Sequence, residues 1–186
     1  MRECISAYCY CNRGKQYDMP FLESIAAWAD VCKTGKVVVV TDRRFKDGTF
    51  ESLVAYSKHR TNVMVVEHEW NVNEPGCDGI EKAFARSIAA DTVASILIPF
   101  DVDEIPHERD IPKLRRVAEQ MVRGSARIVA TGIFDWKNGK HINLSAPLYK
   151  PRLTLNDGAL THGIPKKHRR ILENGKVYSS KESDGA

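Results

Sequence analysis

Val37-Val38-Val39-Val40-Thr41 is an unbroken β-branched run. It reads as a strand with no polar face, so helices must cover it on both sides, as in parallel sheets. Its neighbours extend the pattern. Ile5–Tyr10 reads as a strand ended by Asn12-Arg13-Gly14, and residues 21–31 carry apolar side chains at 21, 22, 25, 28 and 29, a helical period. The polar loop Asp42–Gly48 leads to Thr49, a plausible cap for a helix through His59, and Val63–Glu67 is a third strand. After Pro75 and Gly76, Asp78 caps an expected helix over 79–90, and Ser95–Phe100 is a fourth strand. Alternation of this kind predicts an α/β fold with a mainly parallel central sheet flanked by helices. Right-handed crossovers then bring Asn12–Lys15, Asp42–Gly48 and Asp101–Glu104 to the carboxyl edge, where open α/β sheets bind ligands.

Beyond Pro112 a helix is expected to about Arg123, then a strand over Ala126–Phe134, with a hairpin turn at Asn138-Gly139. The remainder, with Pro147, Pro151 and Pro165, reads as extended segments. A length of 186 residues with 42% hydrophobic content suits one domain over 1–186. No run approaches the roughly 18 apolar residues of a membrane span, and Met1–Ser6 lacks a signal-peptide apolar region. The expectation is a cytoplasmic chain without a transmembrane segment. Five cysteines, an odd count, fit a reducing compartment. Cys9 and Cys11, with Cys4 nearby, could seed a zinc site, but core positions in an early strand are the expected role. Charge is uneven: residues 1–112 hold 13 Lys+Arg against 18 Asp+Glu, whereas 113–186 hold 15 against 6. An acidic half thus precedes a basic one, whose densest run is Lys166–Arg170.

The chemistry concentrates at Asp101-Val102-Asp103-Glu104, directly after the apolar run Ser95–Phe100. Clustered carboxylates repel one another and need either a cation or full hydration. A divalent metal on hard oxygen ligands satisfies them, and a solvated acidic turn is the alternative. On the expected helix 79–90, Ile80, Phe84 and Ile88 form a core-facing stripe, while Lys82 and Arg86 share another face, placed for a diphosphate. Asp42 ends its strand as Asp101 does, where a carboxylate can accept from a nucleobase N–H or a ribose hydroxyl.

In order, Ile5-Ser-Ala-Tyr, Val-Val-Val-Val-Thr-Asp42-Arg-Arg-Phe-Lys-Asp47-Gly-Thr49, Ala85-Arg86 and Asp101-Val-Asp103-Glu104 resemble the family-2-like glycosyltransferases of the GT-A fold. Lys150-Pro-Arg152 and Thr161-His-Gly-Ile-Pro165 resemble later segments of such enzymes. The resemblance implies a nucleotide-binding half at 1–112 and a basic, acceptor-side half at 113–186, in a compact or shortened version. It implies a nucleotide-sugar site built from Ala7, Asn12, Asp42, Lys82, Arg86 and Asp101. Asp101 and Asp103 would hold Mn²⁺ or Mg²⁺ on the diphosphate, with His162 as a further metal ligand.

The implied activity is metal-dependent transfer of a sugar from a nucleotide-diphosphate donor, UDP-linked by preference, to an acceptor hydroxyl with inversion. The sequence does not name the acceptor, for which a glycan, a protein and modified DNA all stand open. Arg43-Arg44-Phe45 departs from the small polar residues common in the Asp42 loop. For the catalytic base the residues offer Asp135, beside Trp136, and Asp157. Two other functions are compatible with parts of the pattern. One is a non-catalytic nucleotide, glycan or nucleic-acid binding module on a degenerate GT-A fold. The other is a haloacid-dehalogenase-like phosphatase, whose motif also opens with an apolar run and Asp-x-Asp, although Ile105 stands where that motif carries Thr or Val.

Overall fold

The computed structural model describes residues 4–133, 136–137, 140–141, 148–163, 170–173 and 176–177. The elements are β1 (Ile5–Tyr10), α1 (Phe21–Val31), β2 (Val37–Thr41), α2 (Thr49–Ser57), β3 (Val63–Glu67), α3 (Cys77–Ala90) and β4 (Ile96–Pro99). They continue as α4 (Ile111–Val122), β5 (Ile128–Ile133), β6 (Trp136–Lys137), β7 (Lys140–His141), β8 (Leu148–Leu155), β9 (Leu160–Gly163), β10 (Arg170–Glu173) and β11 (Lys176–Val177). The main sheet runs β3-β2-β1-β4-β8-β5. Its first four strands are mutually parallel, and β8 lies antiparallel between β4 and β5. The expected α/β class and mainly parallel sheet are therefore present. β9–β11 form a small antiparallel sheet, and β6 pairs with β7 antiparallel.

The pleat explains why the strand sequences are continuously apolar. Ala7, Cys9, Val37, Val39, Ile96 and Ile98 face a layer that includes Phe21, Ile25 and Trp28 of α1, Leu53 of α2 and Met121 of α4. The alternate positions Tyr8, Val38, Val40 and Leu97 pack against Ala85 and Ala89 of α3. Both faces of β1, β2 and β4 are thus removed from water, the main favourable term in folding such a sheet. Cys9 and Cys11 are fully buried in this core. Burial pushes the Cys11 thiol up to about 12, so it behaves as an inert small hydrophobe.

Three local expectations are corrected. Neither Thr49 nor Asp78 caps its helix: the caps are Gly48 and Gly76, at φ of 84° and 81°, and neither helix has a side-chain cap bond. The Thr49 hydroxyl instead donates to Asp47 Oδ2 at 2.7 Å. The face of α3 turned to the sheet carries Lys82, Ala85, Arg86 and Ala89, whereas Phe84 and Ile88 are only half-buried. Small alanines let the helix approach closely, and the two cations are accepted inside because each finds oxygen partners there.

Candidate functional site

Parallel strands β1, β2, β3 and β4 end on one edge, so the segments after Tyr10, Thr41, Glu67 and Pro99 converge. β5 runs parallel to β4, because both are antiparallel to β8, and it ends at Ile133 on the same edge.

The turn after β4 is held from several sides. The Phe100 N–H donates to Tyr8 O at 3.1 Å, and the Glu104 N–H donates to Asp101 O at 2.8 Å. The Glu104 carboxylate closes back on the Asp101 N–H at 2.8 Å and pairs with the guanidinium of Arg152. Arg152 also donates to Pro99 O at 2.7 Å. From α1, Ser24 Oγ and Trp28 Nε1 donate to Glu104 O at 2.7 and 3.0 Å. Glu104 therefore fixes the turn, and its carboxylate is committed to that work. Asp101 Oδ1 receives the ammonium of Lys82 at 2.5 Å; the lysine is almost wholly buried and the aspartate a quarter exposed. Asp103 is exposed.

The second cluster surrounds Asp42. Asn12 Oδ1 accepts from the Asp42 N–H at 2.7 Å, tying the end of β1 to the end of β2. The Asp42 carboxylate is buried, and both oxygens accept from Arg44 Nε at 3.0 Å. Oδ2 also accepts from Arg44 Nη2 at 2.6 Å and from the Trp70 N–H at 2.8 Å. Burial alone would push this carboxyl up, but the hydrogen bonds from Arg44 and Trp70 outweigh it and hold it at about 2. Two buried donors beside these groups, Asn12 Nδ2 and Trp70 Nε1, have no hydrogen-bond partner among the described residues. Unpartnered buried donors are costly, and a ligand offering acceptor atoms would satisfy them.

Behind Asp42, Glu81 is buried and its carboxylate meets His68 Nδ1 at 3.0 Å. Burial raises the Glu81 carboxyl, His68 draws it back, and the nearby Asp42 charge raises it further. The His68 ring stacks on Phe84 at a centroid distance of 4.0 Å.

Asn12, Asp42, Lys82, Asp101 and Asp103 thus come to the expected edge. The remaining candidates do not join them as expected. Ala7 lies mid-strand, in register with Val37 and Ile98 and without exposed surface, so no ligand reaches it. Arg86 is buried and points inward: it donates to Leu160 O at 3.1 Å and to Thr154 Oγ1 at 2.9 Å. It also contacts Tyr8 OH at 3.3 Å, and so ties α3 to β8 and β9 rather than reaching a phosphate. Asp157 follows β8, whose Leu155 pairs with Ile96 at the start of β4, so it sits at the edge opposite Asp101. There it forms an ion pair with Arg127 at 2.8 Å. That topology removes it as the base for chemistry at the acidic turn. Asp135 lies outside the described residues, as do residues 166–169 of the basic run. His162 is on β9 opposite Ile171, and its side chain lies outside the described residues.

Arg152, His68, Glu81 and Trp70 are the site-forming residues that the sequence reading missed. Lys150-Pro-Arg152 carried a signal through the resemblance; the pairing of His68 with Glu81 has no periodic signature. Among the described residues, no group of three or more His, Cys, Asp or Glu is placed to hold a metal ion. Nor is any helix long and apolar enough to cross a membrane.

No family model and no curated protein matches the chain. Among solved structures it is similar to S. aureus TarS 1–349 in complex with UDP, with a TM-score of 0.49 and 20% identity, covering 78% of this chain and 39% of that one. It is also similar to the crystal structure of S. aureus TarS 1–349, with a TM-score of 0.44 and 16% identity, covering 67% and 34%. The chain therefore spans about two-fifths or less of the length of these two chains.

Proposed function

We propose that this chain is the donor-binding core of a metal-dependent, GT-A-type glycosyltransferase that uses a nucleotide-diphosphate sugar, UDP-linked by preference. The observation that carries the reading is the convergence of Asn12, Asp42, Lys82, Asp101 and Asp103 on one sheet edge, beside a turn fixed by Glu104 and Arg152. Preorganised charge of this kind suits a diphosphate leaving group, because the groups need no rearrangement as negative charge develops.

The donor set fits Mn²⁺ or Mg²⁺. Asp103 offers an exposed carboxylate and Asp101 a part-exposed one, and such ions are commonly bound by one or two carboxylates together with substrate phosphates. When bound, the ion would neutralise charge on the departing diphosphate. Lys82 holds Asp101 in position and lends a positive charge to the same place. Asn12 fixes the Asp42 loop, and its unpartnered amide offers a donor to the nucleoside. Asp42 reaches a base N–H only when Arg44, about half exposed, leaves its carboxylate. An acceptor hydroxyl, of a glycan, a protein or modified DNA, would displace the nucleotide diphosphate at the anomeric carbon with inversion. Asp135 is the remaining candidate for its base.

One observation favours a second reading, a non-catalytic nucleotide-binding module: Lys82 already balances Asp101 without a metal. Turnover separates the two. Incubation with a panel of UDP-sugars and Mn²⁺ should release UDP as water takes the glycosyl group in place of the acceptor, and Asp103→Asn should reduce release at least tenfold. Tight UDP-sugar binding without any UDP release would support the module and overturn the enzyme.

A further inference from the structure

The loops after β1 and β2 border a second feature at the same sheet edge. A cleft of about 630 Å³ is lined by Arg13, Lys15, Arg44, Phe45, Lys46 and Asp47, with Gln16 at its border. Four cations and one carboxylate share this space. The frame that carries them is stapled together. The Lys15 N–H donates to Thr49 Oγ1 and the Gln16 N–H to Asp47 Oδ2, both at 3.0 Å, so each loop is fixed to the other. Asp47 also accepts from the Thr49 N–H at 3.1 Å and from the Thr49 hydroxyl. Its oxygens are therefore spent on backbone and hydroxyl donors rather than on the cations.

Arg44 is committed to Asp42 and Glu69. Arg13, Lys15 and Lys46 have no carboxylate partner among the described residues. Arg13 also adopts φ of 57°, a left-handed conformation that non-glycine residues seldom take, and its guanidinium lies 4.4 Å from the Phe45 ring centroid. Backbone strain of this sort persists where surrounding structure enforces it, and it gathers at ligand sites. Gly48 lets the other wall close in: a Cβ there would stand 3.3 Å from Lys15 Nζ.

Like charges held together on a stapled frame attract a counter-anion. We infer that this cleft binds a phosphoryl group, at a site separate from the acidic turn and without a divalent ion. Arg13, Lys15 and Lys46 grip the oxygens, and Phe45 forms the wall against which the rest of the ligand lies. The inference goes beyond the donor reading and does not need it.

Calorimetric titration of the full chain with inorganic pyrophosphate in EDTA-containing buffer tests the site. Saturable binding is expected, weakened at least tenfold by Lys46→Glu and by Arg13→Gly. Because glycine relieves the left-handed strain, Arg13→Gly should leave the melting temperature unchanged or raised, which separates lost binding from lost folding. Asp103→Asn should bind pyrophosphate like the wild type, so failure of the glycosyltransferase reading would leave this result standing. Parallel titrations with inorganic phosphate and uridine monophosphate name the source. Tighter nucleotide binding that Lys46→Glu and Arg13→Gly also weaken would place its ring on Phe45; tighter nucleotide binding that both variants leave unchanged would place the nucleotide at Asp42 and assign the cleft to free phosphate. Absence of saturable binding, or wild-type affinity in both cleft variants, would overturn the inference.

Discussion

Replacing Lys82 by methionine removes one charge from the centre of the site while keeping most of the stem's volume. The ammonium sits 2.5 Å from Asp101 Oδ1, with the lysine side chain 4% and the aspartate 25% exposed. Breaking a fully buried pair from one side costs about 3–5 kcal/mol, because the abandoned charge stays desolvated. Partial exposure of Asp101 lets water recover some of this, so Lys82→Met should cost about 2–3 kcal/mol. For a chain of this size each kcal/mol lowers Tm by about 2–4 °C, which gives a drop of roughly 4–12 °C. The assay is urea unfolding of the wild type, Lys82→Met, Asp101→Asn and the double variant. The double variant should be more stable than the two single losses added together, with a coupling of at least about 1 kcal/mol. A loss below about 0.5 kcal/mol, or strict additivity, would refute the claim that a buried ion pair organises this edge.

Other perturbations follow from the same contacts. Arg152→Met strands the Glu104 carboxylate and Pro99 O, and should cost about 3 kcal/mol in urea unfolding. Asp42 has its carboxyl held at about 2, below its unfolded value of ~3.9, so it adds stability above that value and loses it as pH falls toward 2. Wild-type stability should fall by about 2 kcal/mol more than that of Asp42→Asn between pH 5 and pH 2, measured by denaturant melts. At Gly35 a Cβ would lie 2.0 Å from Ile5 O, a backbone atom that cannot yield, so Gly35→Ala should cost at least about 3 kcal/mol or abolish soluble expression.

Much of the fold was legible because the strands are buried on both faces and the chain alternates regularly. Val37–Thr41 needs two covering layers, and the structure supplies α1, α2 and α4 on one side and α3 on the other. The edge carrying Asp42 and Asp101 followed from topology alone. The orientation of α3 did not. Hydrophobicity favours Ile80, Phe84 and Ile88 as its inner stripe, yet the helix turns Lys82 and Arg86 inward, because distant groups (Asp101, Thr154 and Leu160 O) supply their partners. No local period reports an ion pair across 19 residues. Asp157 misled for a similar reason: only the antiparallel insertion of β8 reveals that it lies on the far edge.

The central claim is that a divalent ion and a sugar nucleotide meet beside Asp101 and Asp103. Paramagnetic line broadening reads this out residue by residue. Mn²⁺ added to the ¹⁵N-labelled chain with a UDP-sugar should selectively erase the amide signals of residues 100–104, with weaker losses at Asn12 and Asp42, and Asp103→Asn should restore them. Broadening confined to other surfaces, or spectra unchanged by the ion and sugar nucleotide together, would contradict the account.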